Sequence, residues 1–80
     1  MITGSQLRAA RALLDWTQDD LAERSGVTPQ TIRLFEAGNR RPHAQTIDRL
    51  QSALEDAGIE FLTSDAAVGV LLGGLSRPAP

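Results

Sequence analysis

The sequence predicts a compact all-α domain of four short helices, followed by a small apolar element at the C-terminal end. Apolar residues recur at intervals of three and four within the first 58 residues, and residues typical of helix starts and stops separate these segments. A chain of 80 residues forms one domain. Because so short a chain buries only about 60% of its unfolded surface, we expect modest stability unless it dimerises.

The first predicted helix begins after Thr3 or Ser5, either of which can cap it, and ends near Leu14 or Asp15. Trp16 follows directly, and we expect it to pack partly against the first and second helices. The apolar stripe of the first helix consists of Leu7, Ala10, Leu13 and Leu14, and the polar residues outside that stripe are Gln6, Arg8 and Arg11.

The second predicted helix covers residues 18–25. Thr17 is its N-cap, and Asp19 and Asp20 lie in the first turn, where the positive end of the helix dipole favours acidic side chains. Gly26 ends this helix, because a helix stop usually needs a residue that tolerates positive φ.

The third predicted helix starts one short turn later. Thr28 caps it, and Pro29 occupies its first position, where the missing N–H of proline costs nothing. The helix runs to about Ala37 and stops at Gly38 and Asn39. The inner seam between the second and third helices is predicted to consist of Leu21, Ala22, Val27, Ile32 and Phe35.

A loop rich in turn formers leads to the fourth predicted helix, which begins near His43 or Ala44 and stops at Gly58. His43 is predicted to be a helix cap or an exposed residue rather than a ligand or a base. The inner face of this helix is predicted to be Ile47, Leu50, Leu54 and Ala57.

Two apolar runs, residues 59–62 and 68–72, follow the helical domain of residues 1–58. Alternating apolar residues, two glycines and β-branched residues favour a hairpin over a fifth helix, which stays an alternative. An isolated two-stranded hairpin is marginal in water, so we expect the element at 59–72 to dimerise with the same element of a second subunit. Residues 73–80 are rich in glycine and proline and are predicted to be a disordered tail.

Residues 17–42 carry a specific pattern of glutamine, alanine, glycine and isoleucine, followed by an E-x-G-x-x-x-P ending. This pattern resembles the DNA-binding helix-turn-helix of the phage-repressor-like family, also called the XRE family. The resemblance covers roughly residues 5–61, about three quarters of the chain. The matching residues are Gln18, Leu21, Ala22, Gly26, Val27, Thr28, Ile32, Glu36, Gly38, Arg41 and Pro42.

A helix that reads DNA needs donors and acceptors near the N-terminus that enters the major groove. Gln30 can bond an adenine edge, and Arg33, three residues further on, can reach a guanine edge or a phosphate. The hydroxyl of Thr31 suits a phosphate oxygen, whereas Leu34 offers only apolar contact, for example to a thymine methyl group.

The resemblance implies further roles. It places base reading at Pro29, Gln30, Arg33 and Leu34, and the two apolar residues among these depart from the glutamine-rich readers of the family. It also implies that Gln18 contacts the DNA backbone and supports the recognition helix, and that Arg11 pairs with Glu36. The complete predicted DNA-binding set is Gln18, Thr28, Pro29, Gln30, Thr31, Arg33, Leu34, Asn39, Arg40 and Arg41.

The net charge of −2 does not by itself indicate a nucleic-acid binder. Residues 24–41 contain four arginines and one glutamate, a net charge of +3, so the remaining residues carry −5. A basic patch on an acidic body binds non-specific DNA weakly, which favours discrimination over raw affinity. All eight basic side chains are arginine, which fits a GC-rich coding sequence and also fits recognition of guanine and phosphate.

The sequence therefore predicts a sequence-specific DNA-binding transcriptional regulator that binds a palindromic or pseudo-palindromic operator as a homodimer. Two alternatives stay open. The chain can be an antitoxin or protein-interaction module whose apolar segment 59–72 covers a partner protein, or a scaffold that has lost DNA binding.

Other classes of function are not indicated. The sequence has no cysteine, a single histidine and no constellation of nucleophile, base and orienting group, so we expect no enzyme activity, no metal and no cofactor. It has no run of 18 apolar residues and no signal-peptide pattern, which predicts a soluble, cytoplasmic protein without a membrane partner.

Overall fold

The structure, a computed structural model, describes residues 2–63 and 68–72. Within these ranges the chain forms helices α1 (Gly4–Leu14), α2 (Gln18–Ser25), α3 (Pro29–Glu36) and α4 (Ala44–Asp56), then strands β1 (Ile59–Thr63) and β2 (Val68–Leu72). The four predicted helices are confirmed, and the apolar runs form an antiparallel hairpin rather than a fifth helix. The tail predicted to be disordered, residues 73–80, lies outside the described residues.

Threonine side chains start the first two helices. The hydroxyl of Thr3 accepts a hydrogen bond from the backbone N–H of Gln6 at 3.1 Å, and the carboxamide oxygen of Gln6 accepts one from the N–H of Thr3 at 2.9 Å. Thr17 and Asp20 form the same reciprocal pair in α2. Both pairs satisfy backbone donors that have no acceptor inside the helix. Of the two predicted caps for α1, Thr3 rather than Ser5 is the cap.

Helices α1 and α3 end in the same type of hydrogen-bonded turn. After α1, Asp15 has a φ of 58°, and the N–H of Trp16 donates to a carbonyl oxygen in the last turn of the helix. After α3, Gly38 has a φ of 78°, and the N–H of Asn39 donates to the carbonyl oxygen of Leu34. These turns satisfy carbonyl groups left over at the helix ends and fix the direction in which the chain leaves.

One apolar core joins the four helices and the hairpin. Leu7, Leu21, Ile32 and Leu50 come one from each helix, and all four are completely buried. The predicted inner faces are thus largely confirmed, although the predicted alanines Ala22 and Ala57 are only half-buried. The buried apolar residues are Ile2, Leu7, Ala10, Leu21, Val27, Ile32, Phe35, Ile47, Leu50, Leu54 and Ile59.

The hairpin covers one side of this core. Strand β1 lies against α4, and β2 lies against α1. The register pairs Ile59 with Leu72 and Phe61 with Val70, and these four side chains pack on the core. Because alternate residues of a strand face opposite ways, the other side of the hairpin is turned outward, and Leu62 on that side is 47% exposed. The helices support the inner face of a sheet that would be marginal alone.

Two predictions for α1 are wrong. Leu13, which helical spacing assigned to the inner stripe, is 46% exposed. Gln6, assigned to the outer side, is 4% exposed, and its carboxamide nitrogen donates to the carbonyl oxygens of Leu62 and Gly69 at 3.2 and 3.1 Å. The buried face of α1 depends on where the hairpin packs as well as on its helical neighbours, and the spacing of leucines along α1 does not encode that position.

The N-terminus of α1 lies very close to the end of α3 at Gly4. A Cβ atom built on Gly4 would meet the carbonyl group of Phe35 and would lie 3.0 Å from the Cα atom of Glu36. These obstacles are backbone atoms, so no side-chain rotation can relieve the contact. The absence of a side chain at Gly4 therefore allows α1 to lie against α3 at this point.

Gly4→Ala is expected to lower the free energy of unfolding by about 1–3 kcal/mol, because the added methyl group must displace the backbone of α3. Helix propensity offsets little of this loss, because Gly4 is the first residue of α1 and the preference for alanine over glycine, about 1 kcal/mol, applies to helix interiors. Gly69→Ala is the control, because a Cβ atom there would meet nothing within 4 Å. Urea unfolding measures both changes, and equal stability of the two variants would contradict the close approach.

Candidate nucleic-acid interface

The exposed face of α3 carries most of the predicted base-reading residues. Thr28 caps the helix and Pro29 is its first residue, and both are exposed. Gln30 and Arg33 are exposed and lie one turn apart on the same side of the helix. Leu34 is half-buried beside Arg33, because the opposite side of α3 faces the core. The four predicted base-reading residues are therefore two polar ones, Gln30 and Arg33, and two apolar ones, Pro29 and Leu34.

The hydroxyl groups of Thr28 and Thr31 are bonded to each other at the start of α3. The Thr28 oxygen accepts a hydrogen bond from the backbone N–H of Thr31 at 3.3 Å, and the two hydroxyl oxygens are 2.9 Å apart. This arrangement caps the helix and uses one of the two hydroxyl protons. The pair keeps one donor for an external acceptor such as a phosphate oxygen.

Helix α2 packs on α3, and its N-terminus carries Gln18. The carboxamide nitrogen of Gln18 donates to Oε1 of Glu36 at 3.2 Å and has a second N–H. The backbone N–H groups of Gln18 and Asp19 stand in the first turn, where a helix supplies no acceptor. The carboxylate of Asp20 accepts a hydrogen bond from the N–H of Thr17 at 2.9 Å, so this negative charge is bonded to the cap residue. The helix start therefore offers several donors to an anion.

A buried ion pair joins α1 to the end of α3, as the resemblance implied. Two guanidinium nitrogens of Arg11 donate to the two carboxylate oxygens of Glu36 at 2.7 Å each, and the side chains are 15% and 4% exposed. The third nitrogen of Arg11 donates to the carbonyl oxygen of Trp16 at 2.8 Å. The hydrogen bond to Glu36 raises the pKa of Arg11 above its ordinary value, although burial opposes this change. The carboxylate of Glu36 in α3 is bonded to Arg11 of α1 and to Gln18 of α2, so it connects three helices.

The loop after α3 starts from a fixed position, because the turn that ends α3 holds Asn39. Arg40 and Arg41 follow and are exposed. They line a groove together with Thr3 and Gly4 at the N-terminus of α1. The sequence did not predict that Thr3 and Gly4 lie beside these arginines. The cap at Thr3 was a readable signal for a helix start, but nothing in the sequence indicated what that start would lie beside.

Arg24 belongs to a different surface from the other arginines of the basic stretch. Its guanidinium carbon lies 4.5 Å from the centroid of the Trp16 ring, which is a cation–π contact. The same two side chains line a groove with Ala53 and Asp56 of α4. The positive charge that sequence analysis assigned to one stretch is therefore divided between the α2–α4 surface and the region of α3 and its following loop.

Three further features are absent among the described residues. Among them, no three histidine, cysteine, aspartate or glutamate side chains come together as a metal site. No helix within residues 2–63 is long and apolar enough to cross a membrane. Each buried side-chain nitrogen or oxygen in the described part of the chain already has a hydrogen-bond partner.

Comparison with known proteins gives a consistent result. A helix-turn-helix family model matches residues 7–60. Uncharacterised HTH-type transcriptional regulators from Mycobacterium bovis and from two strains of Mycobacterium tuberculosis are 35% identical to the chain over 51 residues, which is 64% of this chain. The chain spans only 20% of the length of these relatives, so the similarity concerns one part of each of them.

Arg11→Met is expected to lower the free energy of unfolding by about 3 kcal/mol or more, because it leaves the buried carboxylate of Glu36 without its cation. Arg8→Met, at an exposed position of the same helix, is the control and should change stability by no more than about 0.5 kcal/mol.

Combining Arg11→Met with Glu36→Leu should recover part of the loss, since two apolar side chains can replace a buried ion pair. Chemical unfolding of the three variants and the natural chain tests this expectation. A double variant no more stable than Arg11→Met would show that the carboxylate was not the source of the loss.

Proposed function

The chain belongs to the helix-turn-helix family, and from this membership we propose that it is a sequence-specific DNA-binding transcriptional regulator acting in the cytoplasm. In this proposal α3 enters the major groove as the recognition helix. Gln30 and Arg33 contact base edges, and Pro29 and Leu34 make apolar contacts beside them. The remaining contacts, to phosphate or sugar, come from Gln18, Thr28, Thr31, Asn39, Arg40 and Arg41.

The observation that carries the proposal is that donors from α2 and from the loop after α3 are attached to the end of α3, whose exposed face carries Gln30 and Arg33. Gln18 approaches α3 from α2 and is bonded to Glu36. Arg40 and Arg41 follow a turn that is fixed to the end of α3. Phosphate contacts set the register of a protein on the duplex, while base contacts within the groove specify the sequence. The arrangement around α3 suits this division of roles.

The charge distribution supports discrimination rather than tight non-specific binding. The whole chain carries a net charge of −2, so long-range attraction to DNA is weak. Positive charge is supplied locally by Arg33, Arg40 and Arg41, and affinity should therefore fall with salt in proportion to the few phosphates that these groups contact. A protein of this kind gains most of its preference from correct base contacts.

We also propose that the regulator is a homodimer on a palindromic or pseudo-palindromic operator, with half-sites about one helical turn apart. Residues 59–72 are the proposed dimerisation element. The inner face of the hairpin is covered by the helical domain, whereas its outer face carries Leu62, one of two large apolar side chains that are strongly exposed among the described residues. In this proposal Leu62 contacts the hairpin of the second subunit.

A second candidate function is a protein-interaction module such as an antitoxin. The same exposed leucines, Leu13 and Leu62, favour it, because each could contact a partner protein. In this alternative the partner contacts the outer face of the hairpin, because Ile59 and Phe61 on its inner face pack on the core of the chain.

Selection of bound duplexes from a random library, using the purified 80-residue chain at physiological salt, tests the proposal directly. A two-fold symmetric sequence is the expected result, and its half-site spacing measures the dimer geometry. A single enriched half-site would keep DNA recognition and contradict the dimer. No enrichment would contradict DNA recognition and favour the protein-interaction module, which co-purification of a partner would then identify.

Arg33→Ala and Gln30→Ala are each expected to cost about 1–3 kcal/mol of binding free energy on the selected site and less on random duplexes, since they remove base contacts. Arg40→Ala should weaken both duplexes alike and reduce the salt slope by about 1, since it removes a phosphate contact. Arg49→Ala, at an exposed arginine of α4, is the matched control. Fluorescence anisotropy titrations measure these changes, and equal losses on both duplexes for Arg33→Ala would contradict base reading.

Leu62→Asp is expected to convert the dimer into a monomer, because it places a charge on the outer face of the hairpin. Leu13→Asp is the matched control on α1, since the two leucines are 47% and 46% exposed. Sedimentation equilibrium measures the association constants. Loss of the dimer in Leu13→Asp alone would move the interface from the hairpin to α1.

A further inference from the structure

We propose that Gln6 is a positioning residue that fixes the hairpin on α1 and thereby sets the placement of the hairpin relative to the recognition helix. Its effect on the folded chain does not depend on DNA. Its consequence for operator recognition rests on the proposed function, in which the hairpin joins two subunits and α3 reads each half-site.

The carboxamide of Gln6 bonds three backbone groups, one in the cap of its own helix and two in the distant hairpin. Its oxygen accepts from the N–H of Thr3 at 2.9 Å and so forms part of the cap of α1. Its nitrogen donates to the carbonyl oxygen of Leu62 in β1 at 3.2 Å and to that of Gly69 in β2 at 3.1 Å. Leu62 and Gly69 are paired in the hairpin register, so one side chain bonds both strands at the same level. Both amide protons and the amide oxygen are engaged.

The burial of Gln6 makes these bonds specific. Gln6 is only 4% exposed. Among the described residues, Glu36 is the other buried polar residue. A buried donor or acceptor without a partner destabilises the fold, so the three bonds are satisfied together only when the hairpin has one position on α1. Apolar contacts from Phe61 and Val70 to the core allow small shifts, because they are not directional.

The same end of α1 is fixed to the recognition helix. Gly4 lies against the backbone of Phe35 so closely that no side chain fits between them. Thr3 and Gly4 also line the groove that contains Arg40 and Arg41. The hairpin is therefore connected to the end of α3 through Gln6, the first turn of α1 and one backbone contact. In a dimer joined by the hairpin, this connection would determine the separation and angle of the two recognition helices.

Two substitutions separate the roles of the carboxamide. Gln6→Glu keeps the oxygen that caps α1, because glutamate serves this position as well as glutamine does. It replaces the nitrogen that bonds the strands with an oxygen, so that a carboxylate faces two carbonyl groups. Thr3→Val does the reverse, since it removes the capping hydroxyl and leaves the bonds from Gln6 to the hairpin in place.

Amide hydrogen exchange of the full chain without DNA tests whether Gln6 fixes the hairpin on α1. In Gln6→Glu, the amides of residues 59–63 and 68–72 should exchange at least about tenfold faster, while those of α4 stay unchanged. Thr3→Val should instead accelerate exchange in the first turn of α1 and leave the hairpin unchanged. Unchanged exchange of the hairpin in Gln6→Glu would overturn the proposal.

Binding to paired half-sites tests the consequence for recognition. With the selected half-sites at their preferred spacing and at a spacing one base pair longer, the natural chain should discriminate between the duplexes and Gln6→Glu should not. Affinity for a single half-site should be the same for both proteins, which a general loss of folding would not allow. Discrimination retained by Gln6→Glu would overturn the role of Gln6 in spacing. If hairpin exchange is faster in Gln6→Glu but the natural chain shows no spacing preference, the proposed dimer is contradicted and the role of Gln6 in holding the hairpin stands.

Discussion

The ion pair between Arg11 and Glu36 is the interaction on which the geometry of the domain depends. A buried carboxylate is costly unless its lone pairs are satisfied, and here both oxygens accept from one guanidinium while a third donor comes from Gln18. Because these three residues belong to α1, α3 and α2, the charge is satisfied only when the helices meet in this arrangement. The pair therefore helps to specify where α3, the proposed recognition helix, lies relative to α1 and α2.

The fold gives the proposed regulator a rigid surface in a small volume. The core takes apolar side chains from every helix and from the hairpin, and the polar groups inside it are fully bonded in the part of the chain that the structure describes. The side chains proposed to contact DNA belong to α3, to the start of α2 and to the loop after α3. Since these three segments are attached to the same buried carboxylate or to the turn that ends α3, they should keep their spacing when a duplex binds.

Much of this structure follows from local chemistry. The caps at Thr3, Thr17 and Thr28 and the stop at Gly26 each depend on a few neighbouring residues, which is why the sequence located four helices closely. The position of the predicted recognition face also follows from local sequence. Apolar residues that recur at intervals of three and four give α3 an apolar side and a polar side. The hairpin was predictable because its apolar residues alternate, as in a strand, and because its glycines and β-branched residues disfavour a helix. Both signals come from near neighbours in the sequence.

The sequence by itself therefore determined the helix bounds, the helix-turn-helix resemblance and the residues that α3 exposes, because these depend on interactions between near neighbours. Tertiary structure alone decided which side of α1 is buried, so that Gln6 lies inside and Leu13 outside. It also separated Arg24, which stacks on Trp16, from the arginines near α3. These outcomes depend on contacts between residues far apart in the chain. One polar side chain is buried or exposed according to the carbonyl groups that a distant hairpin brings to it, and no local pattern records that position.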